Sequence, residues 1–353
     1  NVSAADAPAI DLRSTLVAHN VTAEEIERLP KGRSFQSLAL TAPSVNAGEI
    51  EGGFQVNGAS GAENAFTVDG VVTNSLISGQ SRQNTVFEYL QEVQVKTTGI
   101  GAEYGGALGG VISAVTKSGG NTLRGEGHFF YEGSALNAAP VERLVLDPSD
   151  DVTVSYVQDE EQSDHRSEFG GSIGGPIVRD RLFYFGSYSP RIGRSTSDYQ
   201  FGNGTEPGAI ERKQTQTQAF GKLTYNGTRF TASASALYTP TTSEGTLPAY
   251  NGAAPNVLVS SLESNRINFE RGFEVNQVNT SGSVDLTLTG ASFLSLRGGY
   301  FSDNYKDTNI PDVANYTYQT SSVGLAGVPA SLQGPINTQN TPRALIVAKD
   351  VTK

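Results

Sequence analysis

The 353-residue chain contains no cysteine, no methionine and no tryptophan. Without cysteine there is neither a disulfide framework nor a thiolate metal site. Without methionine the chain does not begin at a start codon, and an N-terminal segment, for which a secretory signal is the natural candidate, is expected ahead of residue 1. No uninterrupted apolar run approaches the ~18 residues of a membrane helix. That absence says nothing against a β-barrel, whose strands are short and only half apolar. Basic residues are outnumbered, 25 Lys and Arg against 36 Asp and Glu for a net charge of -11. A nucleic-acid partner is therefore not expected, because phosphate binding needs basic patches. The three histidines, His19, His128 and His165, are scattered, which speaks against a His-based metal site.

What the chain has in abundance is glycine, 40 residues, and tyrosine, 14, while the hydrophobic fraction is only 37%. This is low for an α/β enzyme of this length, and typical helix formers such as Leu and Lys are sparse. The length allows two ordinary domains. From Phe54 to Gly127 short β-rich pieces alternate with glycine clusters. Residues 1–13 are small and polar. The stretch Ser14–His19 reads as a strand, and Thr22-Ala-Glu-Glu25 has capping-box spacing ahead of Ile26 and Leu29, with Pro30 and Gly32 ending that helix. Ser34–Thr41 predicts a second short helix and Asn84–Leu90 a third. Strands are expected at Phe54–Asn57, Asn64–Asp69, Glu92–Thr97 and Val111–Lys117, with a turn at Asp69-Gly70. The result is a small α+β domain over residues 14–121.

Beyond residue 121 the pattern becomes one of long hairpins. In Thr228–Tyr238, Phe230, Ala232, Ala234, Ala236 and Tyr238 share one face, and Thr231, Ser233, Ser235 and Leu237 the other, which is the period of a strand. Strands are expected near 123–132, 166–178, 181–190, 215–225, 228–239, 273–289 and 292–303. Tight turns at Arg179-Asp180, Asn226-Gly227 and Gly290-Ala291 alternate with long polar connections near 133–165, 191–214, 240–272 and 304–343. Asn-Gly is a strong two-residue hairpin signal, because both central positions of that turn need positive φ. Short turns at one end and long loops at the other are the signature of an outer-membrane barrel. Phe129, Phe130, Tyr131, Phe183, Tyr184, Phe185 and Tyr188 fall near strand ends, where interfacial girdles would lie. The fold class is thus mainly β, a plug followed over residues 122–353 by seven or eight antiparallel barrel strands with long extracellular loops.

These residues resemble the TonB-dependent outer-membrane receptors, within them the Oar-like branch. The pieces that carry the likeness are Glu25-Ile-Glu-Arg-Leu-Pro30, Phe54-Gln-Val-Asn-Gly58, Phe66-Thr-Val-Asp-Gly70, Glu92-Val-Gln-Val95, Ala102-Glu-Tyr-Gly105, Gly109-Gly-Val-Ile112 and Val115-Thr-Lys-Ser-Gly119. Beyond the plug, Phe169-Gly-Gly-Ser-Ile-Gly-Gly-Pro176 and Arg181-Leu-Phe-Tyr-Phe-Gly186 look like that branch's early barrel strands. The resemblance implies a plug inside a barrel of about 22 strands. It also implies import of a ligand with force from an inner-membrane, TonB-like coupling protein. Seven or eight strands do not close such a barrel, and an open edge does not persist in lipid. A longer protein is the favoured explanation, closure by another copy or chain the alternative. Two departures stand out. Siderophore-type receptors tend to carry Arg-Gly where this chain has Asn57-Gly58 and again where it has Thr97-Thr98, which speaks against a siderophore. No convincing coupling-protein box precedes Ser14.

Matching the motifs places the outward-facing plug apices at Gly58–Glu63 and Asn74–Asn84. The candidate ligand-binding residues are Gly58, Ala59, Ser60, Glu63, Gln80, Arg82, Gln83 and Asn84. The acidic run in the first long loop, including Asp147, Asp150 and Asp151, offers clustered oxygens suited to Ca²⁺, against the commoner reading of a solvated loop. No cofactor is expected. Gly170-Gly-Ser172-Ile-Gly174 matches a nucleophile-elbow pattern, but a strand and Pro176 follow it and all three histidines precede it. Tyr104 breaks the glycine fingerprint begun at Gly99 and Gly101. No catalytic residues are expected. The reading is an integral outer-membrane receptor for a bulky ligand, whether peptide, glycan or protein, with lipid around it. The alternatives are an adhesive or structural outer-membrane protein, or a subunit of a larger assembly, without active transport.

Overall fold

The computed structural model describes residues 17–28, 35–48, 53–74, 81, 83, 87–101, 104–138, 141–146, 152–158, 163–199, 208–245, 272–309, 321, 323, 324, 326 and 347–352. Strand β1 (Val17–Thr22) leads into helix α1 (Ala23–Arg28), which starts directly after the expected N-cap, while residues 14–16 of the expected strand lie outside the described residues. The expected capping box forms: the Thr22 amide donates to Glu25 Oε2 at 2.8 Å and the Glu25 amide to Thr22 Oγ1 at 3.4 Å. The Thr22 amide, then its hydroxyl, holds the Glu25 carboxyl below its usual range. A lowered folded-state pKa contributes stability that is present above the unfolded value and lost as pH falls through the folded one. Exchange protection of α1 is therefore expected to decline as pH drops below 4.5. Glu25→Gln should remove that pH dependence, as hydrogen exchange across the acid range would show.

The second predicted helix is a 3₁₀ segment, Phe35–Thr41, that buries Phe35, Leu38 and Ala39. The third is corrected. Among the described residues Phe87–Tyr89 make a single turn, closed by the Leu90 amide on the Phe87 carbonyl, and Leu90 already begins a strand. Phe87, Tyr89 and Leu90 are all buried.

The first domain is organised by β4 (Ala65–Val68), β5 (Val71–Val72), β6 (Leu90–Thr98) and β7 (Val111–Thr116). With β1 they form a five-stranded sheet in the order β1-β6-β7-β4-β5. A small hairpin of β2 (Val45–Ala47) and β3 (Phe54–Val56) sits beside it. The turn at Asp69-Gly70 has φ of 47° and 82°, positive at both central positions as a two-residue hairpin requires.

The second domain begins with β8 (Arg124–Gly133). It continues through β11 (Ser163–Val178), β12 (Leu182–Tyr199), β13 (Gly208–Asn226), β14 (Phe230–Glu244), β15 (Gly272–Thr289), β16 (Ser292–Thr308) and β17 (Val347–Thr352). These eight strands form one antiparallel sheet in the order β17-β16-β15-β14-β13-β12-β11-β8. Among the described residues it does not close on itself, since β8 and β17 lie at opposite edges. Within the first long connection an unpredicted hairpin pairs β9 (Arg143–Leu146) with β10 (Val154–Val157).

Two expectations about the hairpins are revised. Neither Asn226 nor Gly227 has positive φ. Asn226 still pairs with Thr231 and the Gly227 amide donates to the Phe230 carbonyl, so the turn falls at Thr228-Arg229. The strands also run further into the long connections than predicted: β12 pairs with β13 as far as Tyr199 and Gly208. A ladder needs only backbone donors and acceptors, so it continues where the apolar alternation that marks a strand in sequence has faded.

Phe183 and Phe185 are corrected as girdle residues. Both are buried, and Phe185, with Phe220 and Leu237, joins the hydrophobic cluster of the plug. The Tyr89 ring of the plug lies 4.9 Å from Phe220 of β13. Tyr188, Phe129 and Tyr131 are exposed, as a girdle position requires, whereas Phe130 is corrected: it pairs with buried Glu168 and shares the inward face with His128. The plug thus completes its own core with side chains of the wall.

Candidate functional site

The first apex is built on a reversal at Asn57-Gly58, whose φ values of 53° and 80° let the chain leave β3 sharply. The Asn57 amide group donates to the Thr97 carbonyl at 2.6 Å, so the two positions where siderophore-type receptors tend to carry arginine are tied to each other. Ser60 and Glu63 close a second capping box: the Ser60 amide donates to Glu63 Oε2 at 2.8 Å, and Ser60 Oγ accepts from the Ala62 amide. Gly58 is exposed, Ala59, Ser60 and Glu63 half-buried. The apex offers a rigid and weakly polar tip.

Of the second apex the structure describes Gln83; Gln80, Arg82 and Asn84 lie outside the described residues, as do Asp147, Asp150 and Asp151 of the first long loop. Gln83 is fully buried. Its side-chain oxygen accepts from Asn279 Nδ2 of β15 at 2.9 Å, and its backbone carbonyl from Gln36 Nε2 at 2.5 Å. Gln83 therefore links the plug to the wall in this state.

A second link lies nearer the tight-turn end. Asp69, in its two-residue turn, accepts from the Thr116 amide at 3.0 Å and the Thr116 hydroxyl at 2.6 Å. Lys222 of β13 reaches Asp69 Oδ2 at 3.4 Å and donates to Thr116 Oγ1 at 2.8 Å. The side chains are only 9% and 13% exposed, so water screens this pair little.

Spacing could not show this clasp. Asp69 was legible as a turn residue and Lys222 as one polar position on an alternating strand, 153 residues away. The available signal was Lys222 on the inward, glutamine-rich face of its strand, where a charge needs a partner.

Toward the loop end, inward positions of β11–β13 line a cavity of about 320 Å³ with Arg166, Arg191, Arg212 and Asp164, and Arg194 stands at its margin on the other face. Arg166 pairs with Glu132 at 3.1 Å. Deeper, the plug and wall bring together Glu88, His128 and Glu168, with one ligand-capable atom from each lying within 4.8 Å of the others. Sequence reasoning set His128 aside as isolated; the partners come from three separate segments.

Residues 115–333 match the model of the outer membrane beta barrel domain, and residues 11–111 that of the TonB-dependent receptor plug domain. The TonB-dependent transporter Oar of Myxococcus xanthus is 32% identical over 196 residues, 53% of this chain and 18% of Oar. Among solved structures, the outer membrane transporter YddB from Escherichia coli superposes with a TM-score of 0.61 at 18% identity, over 91% of this chain and 43% of YddB. The ferric enterobactin receptor of Pseudomonas aeruginosa gives 0.53 at 17%, over 94% of this chain and 44% of the receptor. Those two likenesses establish a shared fold. The chain spans less than a fifth of the curated relative's length and less than half of either solved chain.

Proposed function

We propose, from the premise that this chain belongs to the TonB-dependent outer-membrane receptors of the Oar-like kind, that it imports a bulky ligand through the bacterial outer membrane, powered by a TonB-like inner-membrane protein. The observation that carries this reading is how the plug is held. It shares a hydrophobic cluster with the wall and is tied by Lys222–Asp69 and Gln83–Asn279. A plug so held does not leave the lumen unaided at a useful rate, which is what an energised puller is for.

The ligand's contacts in this reading are Gly58, Ala59, Ser60 and Glu63 of the first apex, with Gln80, Arg82 and Asn84 of the second, and Gln83 only once its bond to Asn279 opens. No Lys or Arg lies in residues 57–63. This supports a peptide, glycan or protein rather than a small anionic chelate. The arginine-lined cavity above adds cationic contacts for any acidic groups the ligand carries.

The test is uptake by intact cells of a fluorescent oligopeptide, oligosaccharide and protein panel, with and without the proton-motive force. Energy-dependent accumulation of one class, lost on deleting residues 57–63, is the expected result. Accumulation unaffected by collapsing the force would sink the proposal. Adhesion or assembly that persists with no uptake at all would favour a structural role.

A further inference from the structure

We propose that Glu88, His128 and Glu168 form a site for one divalent first-row transition-metal ion that staples the plug to the barrel wall. Glu88 belongs to the turn before β6, His128 to β8 and Glu168 to β11. The three ligand-capable atoms lie within 4.8 Å of one another. Bonds of 2.0–2.2 Å around a tetrahedral ion separate neighbouring ligand atoms by about 3.4 Å, so side-chain rotations that close the gap by about an ångström suffice.

The donor set is one imidazole nitrogen and two carboxylates, a mixture that suits zinc and its neighbours better than calcium, which takes oxygen throughout. Glu168 is 3% exposed, and a buried carboxylate beside a second one is costly without positive charge. Arg191 stands across from Glu168 in the strand register and supplies one such charge. A dication between the two carboxylates supplies more, at the place where two domains meet.

The wall around the histidine is also cut to fit. Gly170 pairs with His128 across β8 and β11, and a Cβ at Gly170 would stand 2.9 Å from His128 Nε2 and 2.6 Å from Ser189 Oγ. Ser189 Oγ itself lies 3.3 Å from Nε2, an outer contact of the kind that fixes the ring of a ligating histidine. The glycine keeps that space open.

The experiment uses the protein purified from outer membranes in detergent, stripped with a chelator and titrated with Zn²⁺ by calorimetry. One ion per chain is expected. Glu168→Gln and His128→Gln, which keep side-chain volume, should each weaken binding at least about tenfold, since losing an outer partner already costs 10–100-fold. Glu24→Gln, on exposed α1, should bind as the parent does. Co²⁺ loading gives a second readout, a visible spectrum of nitrogen and oxygen ligation that both site variants lose. Hydrogen exchange should show Zn²⁺ protecting plug amides near Glu88 in the parent alone. No stoichiometric uptake by the parent, or uptake equal in parent and site variants, overturns the proposal and leaves Glu168 paired with Arg191 only.

Discussion

Lys222→Met is expected to weaken the docked plug by about 3–5 kcal/mol, the usual loss when one partner of a buried ion pair is removed. The variant strands the Asp69 carboxylate in a site only 13% exposed, with Thr116 as its remaining close donor in the plug. Asp69→Asn makes the reciprocal case: asparagine tolerates the positive φ of the turn, so the backbone is spared while Lys222 loses its counter-charge. Removing both charges should cost much less than the two singles together, because the penalty in each single is an uncompensated buried charge. Hydrogen exchange at plug amides measures the opening of the plug separately from the barrel. Singles that sum to the double within about 0.5 kcal/mol would show that the pair is not coupled.

Gly119→Ala should loosen the same interface from the other side, by about 1–3 kcal/mol or more. A Cβ at Gly119 would stand 2.1 Å from the Tyr184 carbonyl oxygen and 2.9 Å from that of Gly175. Tyr184 is held by ladders on both sides and Gly175 by the β11–β12 ladder, so neither backbone oxygen can yield cheaply. Gly120 is the internal control, since nothing lies within 4 Å of a Cβ there and neither glycine has positive φ. The demand at 119 is for space. Limited proteolysis across residues 117–123 should show the Gly119→Ala chain cut sooner and the Gly120→Ala chain cut like the parent. Equal cutting of the two variants would remove the steric explanation.

Most of the architecture was legible because it is written in short-range patterns. The capping box at Thr22 and Glu25, the Asp69-Gly70 turn and the alternation in β14 each depend on residues a few positions apart. Misreadings came where a local signal competed with a tertiary one. Asn84–Leu90 reads as a short helix, yet Phe87–Tyr89 make a single turn and Leu90 already joins the ladder of β6 with β7. Asn226-Gly227 has the residues of a primed turn, but the register set by Tyr225–Ala232 and Asn226–Thr231 moves the reversal two residues on. Phe185 reads as an interfacial aromatic until it is seen to join the core of the plug.

The sequence by itself determined that the protein is a β-rich plug followed by antiparallel hairpins with turns at one end and loops at the other. Composition, period-2 alternation and connection length are properties of neighbouring residues, and they suffice for that. Only the tertiary structure decided what holds the plug in place: Asp69 against Lys222, Gln83 against Asn279, and Glu88 beside His128 and Glu168. Those contacts join residues tens to hundreds of positions apart. Strand register and the seating of the plug bring them together, and neither leaves a mark in the spacing of the residues involved.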